Sequence, residues 1–218
     1  MRTIAIIPAR KNSQRLPAKN YRLLGEIPLI AHSILYAQEN SHIIDEIYVT
    51  TDCPEVKAVA LQYGALVIDR PEHLAGDFTP TVSALKHVLE NIQNVENVLL
   101  LQATNPLRPK DLLQNAFSEF QSSQADSLFT VTRNHQKLGR VVDNKFVPFN
   151  YNIGQRSQDL EPLYYENGLL YISRSSLILV DKIISENTIP FVVDHPFTAV
   201  DIDTQQDFDY AEFLLSRV

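Results

Sequence analysis

The feature of this sequence that most constrains its fold is a regular alternation of short apolar runs with amphipathic segments. The apolar runs are rich in β-branched residues and short enough to be buried strands, whereas the intervening segments have helical spacing. Strands joined by helical crossovers form a parallel sheet with helices on both faces. The strand-like runs are "TIAIIP", "EIYVTT", "ALVIDR", "NVLLLQ", "SLFTVTR" and "GLLYIS".

Prolines and small polar residues indicate where the helices begin. Pro28 is expected in the first turn of "PLIAHSILYAQEN", and Asp52 and Thr79 are expected to cap the next two helices. The pattern also predicts helices in "RPKDLLQNAFSEFQ" and "SSLILVDKIIS". At the end of the chain, "DTQQDFDYAEFLLSRV" predicts a helix capped by Asp203 or Thr204.

The alternation is interrupted between about residues 134 and 165. This stretch has short alternating pieces and turn residues, without a convincing amphipathic helix. We therefore predict one domain spanning residues 1–218, with a hairpin-like, mobile insertion at 134–165 that we call the arm.

The composition is that of an ordinary globular protein, with 44% hydrophobic and 21% charged residues. No apolar stretch approaches the ~18 residues of a membrane span, and the N-terminus lacks a signal-peptide pattern, so a cytoplasmic protein is expected. Cys53 is the only cysteine, which excludes an internal disulfide and a cysteine-rich zinc site. We expect it to be structural.

The net charge of −7 argues against binding to nucleic acid or to an anionic membrane. The charge is nevertheless distributed unevenly. Residues 1–25 hold six Lys or Arg and no acid, whereas residues 201–212 hold five acids and no base. This distribution predicts an anion site near one end of the chain and a cation site near the other.

The basic loop that follows the first strand-like run is "PARKNSQRLPAKN", residues 8–20. Neither G-x-x-x-x-G-K-[ST] nor G-x-G-x-x-G occurs in the chain, and no glycine precedes Gly25. A phosphate group would therefore have to be held by charge, from Arg10, Lys11, Arg15 and Lys19, rather than by a glycine-rich backbone. A solvated basic loop is the alternative.

Two carboxylates lie close together near the end of the chain. In the extended segment "DID", Asp201 and Asp203 are two residues apart and share a face. Such a pair suits Mg²⁺, which binds a few protein oxygens together with waters and substrate phosphate. The alternative role for Asp203 is to cap the last helix.

Six segments, in order along the chain, resemble the CMP-sugar synthetases, the cytidylyltransferases that activate acidic keto-sugars such as N-acylneuraminic acid. The resemblance covers nearly all 218 residues. The segments are "IAIIPARKNSQRLPAKN", "VTTD", "RPEHLAGD", "LLQATNPLR", "QDLEPLYYENGLLYI" and "DID".

The resemblance implies an α/β, doubly wound, mostly parallel sheet of the Rossmann-like nucleotidyltransferase type. It implies a homodimer that uses CTP and Mg²⁺ to convert an acidic nine-carbon keto-sugar into its CMP derivative with release of pyrophosphate. It also implies the roles of individual residues. The residues implied to bind the triphosphate and nucleoside are Arg10, Lys19, Ser13, Asn20, Arg70, Asp77 and Thr81. The residues implied to bind the sugar are Gln102, Thr104, Asn167, Arg140 and Arg156, of which the two arginines reach across the dimer. The residues implied to bind the metal are Asp201 and Asp203.

The basic loop departs from the family pattern and leaves several hypotheses open. "KNS" stands where small residues are usual, and Gln14 stands where a lysine is frequent, so Arg15 or Lys11 is expected to substitute for that lysine. "SQRLP" resembles the branch that activates the eight-carbon sugar Kdo. Two further hypotheses are a catalytically silent nucleotide-binding regulator and a nucleotidyltransferase that acts on a simple sugar phosphate.

Overall fold

The computed structural model describes residues 2–11 and 14–217 of the chain. Eleven strands and six helices are present in this part of the chain. The strands are β1 (Thr3–Pro8), β2 (Leu23–Leu24), β3 (Ile27–Pro28), β4 (Glu46–Thr51), β5 (Leu66–Asp69), β6 (Asn97–Leu100), β7 (Ser127–Asn134), β8 (Gly139–Val142), β9 (Lys145–Pro148), β10 (Leu163–Arg174) and β11 (Thr188–Val192). The helices are α1 (Leu29–Glu39), α2 (Pro54–Gln62), α3 (Thr81–Asn91), α4 (Leu112–Ser122), α5 (Ser175–Leu179) and α6 (Gln205–Leu215).

Seven of the strands form one sheet in the order β11-β7-β10-β6-β1-β4-β5. β1 is parallel to β4 and β6, β4 is parallel to β5, and β11 is parallel to β7. β10 alone of these strands runs antiparallel to its neighbours, β6 and β7. The expected α/β, doubly wound, mostly parallel sheet is therefore confirmed.

The strand order explains where a ligand can bind. From β1, the chain first extends the sheet through β4 to β5 and then returns to β6 on the other side of β1. The carboxyl ends of β1 and β6 consequently border a crevice at the point where the order reverses. Ligands of open α/β sheets bind in this crevice.

The sheet is buried on both faces, as the sequence of β1 predicts. Ala5 and Ile7 belong to a core cluster with α1, α2 and α4, whereas Ile4 and Ile6 belong to a cluster with α3 on the other face. All four of these side chains are fully buried. Alternation along the strand supplies both clusters, because successive side chains point to opposite faces.

A third apolar cluster joins segments that are far apart in the sequence. It contains Leu16 of the basic loop, Ile202 from between the two aspartates, and Phe208 of α6. Since Ile202 is fully buried in this cluster, its neighbours Asp201 and Asp203 are left on the opposite face of the segment. This packing brings the basic loop and the carboxylate pair together.

Three expected helix starts are wrong by one residue. Asp52 does not cap α2, because its side chain accepts a hydrogen bond from the Lys11 backbone N–H at 2.7 Å and Cys53 occupies the capping position. Likewise, Thr79 does not cap α3, which begins at Thr81 after Pro80. Pro28 precedes α1 rather than lying in its first turn, and pairs with Leu23.

The helix expected in "SSLILVDKIIS" is also shorter than its apolar pattern suggests. α5 ends at Leu179, and Asp181 has a φ of 61° that no helix accommodates. By contrast, α6 is capped as predicted: Thr204 and Asp207 form a capping box at its start.

The arm contains the two-stranded hairpin β8–β9, whose turn residues Asp143 and Asn144 both have positive φ angles, as tight hairpin turns require. Several of its apolar side chains are exposed, including Phe146, Phe149 and Ile153. Among the helices described, none combines the length and the apolar character that crossing a membrane requires.

Candidate active site

A cavity of about 550 Å³ opens at the carboxyl ends of β1 and β6. Its walls come from the basic loop, the segment between β5 and α3, the segment after β6, and Asp203. It contains most of the site residues that the sequence predicts, namely Arg10, Arg15, Lys19, Asn20, Arg70, Asp77, Thr81, Gln102, Thr104 and Asp203.

The centre of the cavity is an ion pair between the two ends of the sequence. The buried ammonium of Lys19 donates to a carboxylate oxygen of Asp203 at 3.0 Å and to the Ile202 carbonyl at 2.6 Å. Arg15 donates to the other Asp203 oxygen at 2.5 Å. Opposite charges from distant parts of the sequence therefore meet in this cavity.

A second ion pair joins the basic loop to the segment between β5 and α3. Arg10 forms an ion pair with Asp77, and Gln14 donates to the same carboxylate. Asn20 supports this arrangement from behind, because its amide donates to the Arg10 carbonyl at 3.0 Å. Gln14, which replaces the usual lysine, thus contacts an acid of the cavity wall, while Arg15 provides a cation beside Asp203.

Arg70 is a buried cation at the edge of the cavity. Its guanidinium donates to the Thr50 carbonyl at 2.7 Å, at the carboxyl end of β4. Burial lowers the pKa of Arg70 to about 10, which leaves it charged at neutral pH, and nearby Asp52 opposes this shift. The hydrogen bond to Thr50 therefore holds the positively charged Arg70 side chain in a fixed position at the cavity.

The segment after β6 is held by a buried polar network. Arg108 is fixed beneath it, donating to the carbonyls of Gln102 and Leu169 at 2.9 and 2.7 Å. Burial lowers the pKa of Arg108 to about 10. Asn105 donates to the Val200 carbonyl at 2.7 Å and to the Asn167 carbonyl at 3.2 Å.

This network reaches the carboxylate pair through the backbone. The Ile202 N–H donates to the Thr104 carbonyl at 2.8 Å, and Val200 accepts from Asn105. Two hydrogen bonds thus fix the segment that bears Asp201 and Asp203 against the segment after β6. The sequence does not indicate this role of Asn105, because nothing in "ATNPLR" reveals a partner 95 residues away.

Asp201 lies beside Thr104 at the rim of the cavity. Although its side chain is exposed, the surrounding protein raises the pKa of the Asp201 carboxyl by desolvation, and Asp203 raises it further by repulsion, while a hydrogen bond with Thr104 opposes both effects. The two carboxylates repel each other because they are close together, and a cation between them would relieve this repulsion.

The donor set fits a hard divalent cation. Mg²⁺ is commonly bound by one or two carboxylates, with the remaining positions filled by water and phosphate. Within residues 2–11 and 14–217, no group of three or more His, Cys, Asp or Glu side chains is arranged to hold a metal. Asp201 and Asp203 would therefore hold a cation jointly with a substrate and not in a preformed cage.

Besides Asp201, which adjoins the cavity at Thr104, four predicted site residues lie outside the cavity wall or outside the described part of the chain. Asn167 is buried, with its amide oxygen accepting from Thr130 at 2.5 Å and its amide nitrogen donating to Thr132 at 2.9 Å. Arg140 and Arg156 are exposed on the arm, and Arg156 makes a bidentate ion pair with Asp159. Ser13 falls outside the residues that the structure describes.

The cavity and its charges can be compared with known proteins. The sequence profile of the family described as Cytidylyltransferase matches residues 4–217. This chain belongs to the cytidylyltransferase family. It is accordingly an enzyme of the nucleotidyltransferase class, and its cavity lies within the matched region.

Curated relatives of this cytidylyltransferase act on acidic sugars, according to their names. The chain is 35% identical to pseudaminic acid cytidylyltransferase of Campylobacter jejuni, covering 98% of this chain and 96% of that protein. It is 36% identical to CMP-N,N'-diacetyllegionaminic acid synthase of Legionella pneumophila, covering 99% and 97%. It is 32% identical to N-acylneuraminate cytidylyltransferase of Streptococcus agalactiae, of which it spans about half, 52% of the length.

Solved structures confirm the fold of the cytidylyltransferase. A CMP-2-keto-3-deoxy-manno-octonic acid synthetase complexed with CTP superposes with a TM-score of 0.73 at 16% identity, covering 100% of this chain and 99% of that one. A 4-diphosphocytidyl-2C-methyl-D-erythritol synthase of Anaerococcus prevotii superposes with a TM-score of 0.69 at 15% identity, covering 99% of each. At these identities the likeness concerns the fold alone.

Proposed function

We propose that this cytidylyltransferase transfers CMP from CTP to the anomeric hydroxyl of a sialic-acid-like nonulosonate, with Mg²⁺ as cofactor. The observation that carries the proposal is the meeting of Arg15 and Lys19 with Asp203 in one cavity at the switch point of the sheet. The names of the full-length relatives support a nine-carbon acidic acceptor.

The triphosphate would be bound by the basic loop. Arg10, Arg15 and Lys19 line the same cavity, and Asp77 and Asp203 compensate their charges. A triphosphate offers these cations a more highly charged partner and displaces the carboxylates. Asp203 would then be free to take a different cation.

The metal would be held by Asp201 and Asp203 together with the phosphates. When bound, Mg²⁺ supplies positive charge next to the α-phosphate and acidifies the attacking hydroxyl. The protein's own part is to place the carboxylates, through Ile202 in the core and through the two backbone hydrogen bonds from the segment after β6.

The nucleoside would occupy the side of the cavity formed by the segment between β5 and α3. Arg70, Asp77 and Thr81 line the cavity here, together with Asn20 at the end of the basic loop. Ser13 is proposed to contact the nucleotide as well. Arg70 provides the charge that would orient the nucleoside, since it is already fixed by its bond to Thr50.

The sugar would lie against Gln102 and Thr104, with its carboxylate near Arg140 and Arg156 of a second copy. This arrangement requires a homodimer, which the exposed apolar side chains of the arm favour. For Asn167, whose amide atoms are both engaged, we propose that it positions Asn105 behind the sugar contacts.

The chemical step is an in-line displacement at the α-phosphate. The anomeric oxygen forms a bond to phosphorus while the bond to the bridging oxygen of the β-phosphate breaks, and pyrophosphate leaves with that electron pair. The hydroxyl proton passes to solvent. Positioning and charge neutralisation account for most of the acceleration in such reactions.

The proposal is tested by pyrophosphate release with CTP, Mg²⁺ and a panel of acidic sugars: pseudaminic, legionaminic and N-acetylneuraminic acids and Kdo. We expect turnover with at least one nine-carbon acid and formation of its CMP derivative, detected by mass spectrometry. UTP and ATP in place of CTP, and CTP with EDTA, serve as controls.

Strict preference for Kdo would contradict the nonulosonate assignment and favour the branch that "SQRLP" resembles. The homodimer is tested separately by light scattering of the purified protein. A monomer that turns over the sugar at full rate would exclude a contribution of Arg140 and Arg156 across an interface. The cytoplasmic location remains a prediction for cell fractionation.

A further inference from the structure

Phe78 is the most exposed large apolar side chain of the described residues, with a relative exposure of 100%. Single exposed apolar residues are common on protein surfaces, but this one forms part of the wall of the active-site cavity. Its fully exposed side chain therefore has no packing partner, although it adjoins the space that a substrate would fill. Packing within the fold does not require a phenylalanine at this fully exposed position.

Phe78 is presented at the tip of a tight turn. The Thr79 N–H donates to the Gly76 carbonyl at 3.2 Å, which closes a four-residue turn with Asp77 and Phe78 at its centre. Asp77 points to the basic loop, where it contacts Arg10 and Gln14. The turn thus directs one side chain to the phosphate-binding loop and exposes the next.

The cavity wall combines an apolar group of side chains with a charged one. Leu74, Phe78, Pro80 and Ala84 supply the apolar group, together with the fixed guanidinium of Arg70. Arg15, Lys19 and Asp203 contact one another and supply the charged group. A flat, weakly charged group suits the first set of side chains, and a polyanion suits the second.

We propose that Phe78 covers the nucleobase of bound CTP, with its ring against one face of the pyrimidine. This inference rests on the proposed function, because it takes CTP as the ligand. Every base has a π-face on which an aromatic side chain can stack, so such a contact adds affinity and depends little on which pyrimidine is bound. The fully exposed ring would become buried only when the nucleotide is present.

The ion pair next to Phe78 couples the two sides of the cavity. A triphosphate that draws Arg10 away from Asp77 also releases the turn from the basic loop. The turn is then free to move toward the base. The phosphates would thus release the four-residue turn from the basic loop, and the nucleobase would contact Phe78 of the same turn.

The first test compares Phe78→Ala with Phe78→Tyr, measuring CTP binding by calorimetry with Mg²⁺ and without sugar. Because the ring has no contacts in the free enzyme, Phe78→Ala should leave the Tm unchanged. It should raise the Kd for CTP about tenfold, whereas Phe78→Tyr should retain the affinity of the parent.

Phe213→Ala, at an exposed phenylalanine of α6, is the matched control and should leave the Kd unchanged. If the parent enzyme binds CTP and Phe78→Ala binds it equally well, the inference is wrong and the proposed function stands. If the parent enzyme itself does not bind CTP, the proposed function fails independently of Phe78.

A second test uses the absence of tryptophan from the chain. Phe78→Trp introduces a single indole, whose emission should change in intensity and wavelength when CTP covers it. Inorganic tripolyphosphate binds the cations but has no base. It should therefore produce only a small part of the emission change that CTP produces. An equal response to CTP and to tripolyphosphate would overturn the stacking contact.

Discussion

Lys19 and Asp203 are 184 positions apart in the sequence, yet the Lys19 ammonium lies 3.0 Å from the Asp203 carboxylate. The ammonium is buried, so this pairing is not an incidental surface contact. Removing either partner would leave a charge that the surrounding protein solvates poorly. The two ends of the sequence are therefore coupled both in stability and in the proposed chemistry.

Asp203→Asn is expected to lower kcat by at least about 100-fold, because an amide binds a divalent cation much less well than a carboxylate does. The Asn oxygen and the Ile202 carbonyl still accept from Lys19, so the free energy of unfolding should fall by only about 1 kcal/mol. Pyrophosphate release and chemical denaturation measure the two effects.

The matched control is Asp209→Asn, the same substitution at an exposed position of α6, where Asp209 accepts from Gln205 at 2.5 Å. We expect kcat and stability close to those of the parent enzyme. Comparable losses of kcat in both variants would show that charge in general, and not the position of Asp203, determines activity.

Gly168→Ala tests the packing behind the segment after β6. A Cβ at residue 168 would lie 2.7 Å from the Asn105 amide oxygen, and the φ of Gly168 is +76°. Both the collision and the unfavourable φ should destabilise the protein, by about 3 kcal/mol in total. Displacement of Asn105 would also loosen the segment that bears Asp201 and Asp203, which should weaken Mn²⁺ binding measured by electron paramagnetic resonance.

Gly154→Ala separates the two causes, since Gly154 has a φ of +91° and no atom within 4 Å of a Cβ at that position. This variant should lose only about 1 kcal/mol and bind Mn²⁺ like the parent. Equal destabilisation of the two variants would mean that the contact with Asn105 has no energetic consequence.

The pH dependence of stability should report on His32. Burial lowers the pKa of His32 below its ordinary value of 6.5, with a smaller contribution from Arg108 and opposing hydrogen bonds to the Leu24 and Ile27 carbonyls. The folded state therefore binds this proton more weakly than the unfolded state does. With respect to His32, the folded protein therefore has its full stability above pH ~6.5. It loses stability as the pH falls from there through the lower pKa of His32 in the folded state.

We expect the Tm of His32→Gln to fall less between pH 7 and pH 5 than that of the parent, because glutamine cannot take up the proton but can still donate to the Leu24 carbonyl. His42→Gln, at an exposed histidine of the same region, provides the comparison. Identical pH profiles for the parent and His32→Gln would show that His32 does not control acid stability.

Arg156→Ala should raise the KM for the sugar about tenfold and leave the KM for CTP unchanged, since the proposed contact is with the sugar carboxylate. The side chain is 77% exposed, so no loss of stability is expected. Lys145→Ala on the same arm is the control. A variant with weakened CTP binding and unchanged sugar KM would contradict the assignment.

The fold was largely predictable because its information is local. Each strand of the parallel core is indicated by a continuous apolar run, and β1 is buried on both faces as expected. β11 was not recognised, since Pro190 interrupts its pattern; the strand lies at the edge of the sheet, where a missing N–H is tolerated. The two-residue strands β2 and β3 leave no periodic signal at all.

The site was predictable only in part. The charges of the basic loop and of the "DID" segment identify the residues that meet in the cavity, and these positions can be read directly. Arg108 and Asn105 could not be assigned, because their partners are backbone carbonyls of distant segments that carry no side-chain signature. The ion pair of Arg10 with Asp77 depends equally on tertiary structure.

Because Lys19 is fixed by Ile202 and Asp203, the order of synthesis has a consequence for the enzyme. The ribosome adds the basic loop directly after β1, whereas it adds Asp201 and Asp203 only after all seven strands of the sheet. Until Asp203 has been synthesised, a nascent chain therefore carries a Lys19 ammonium that lacks its counterion.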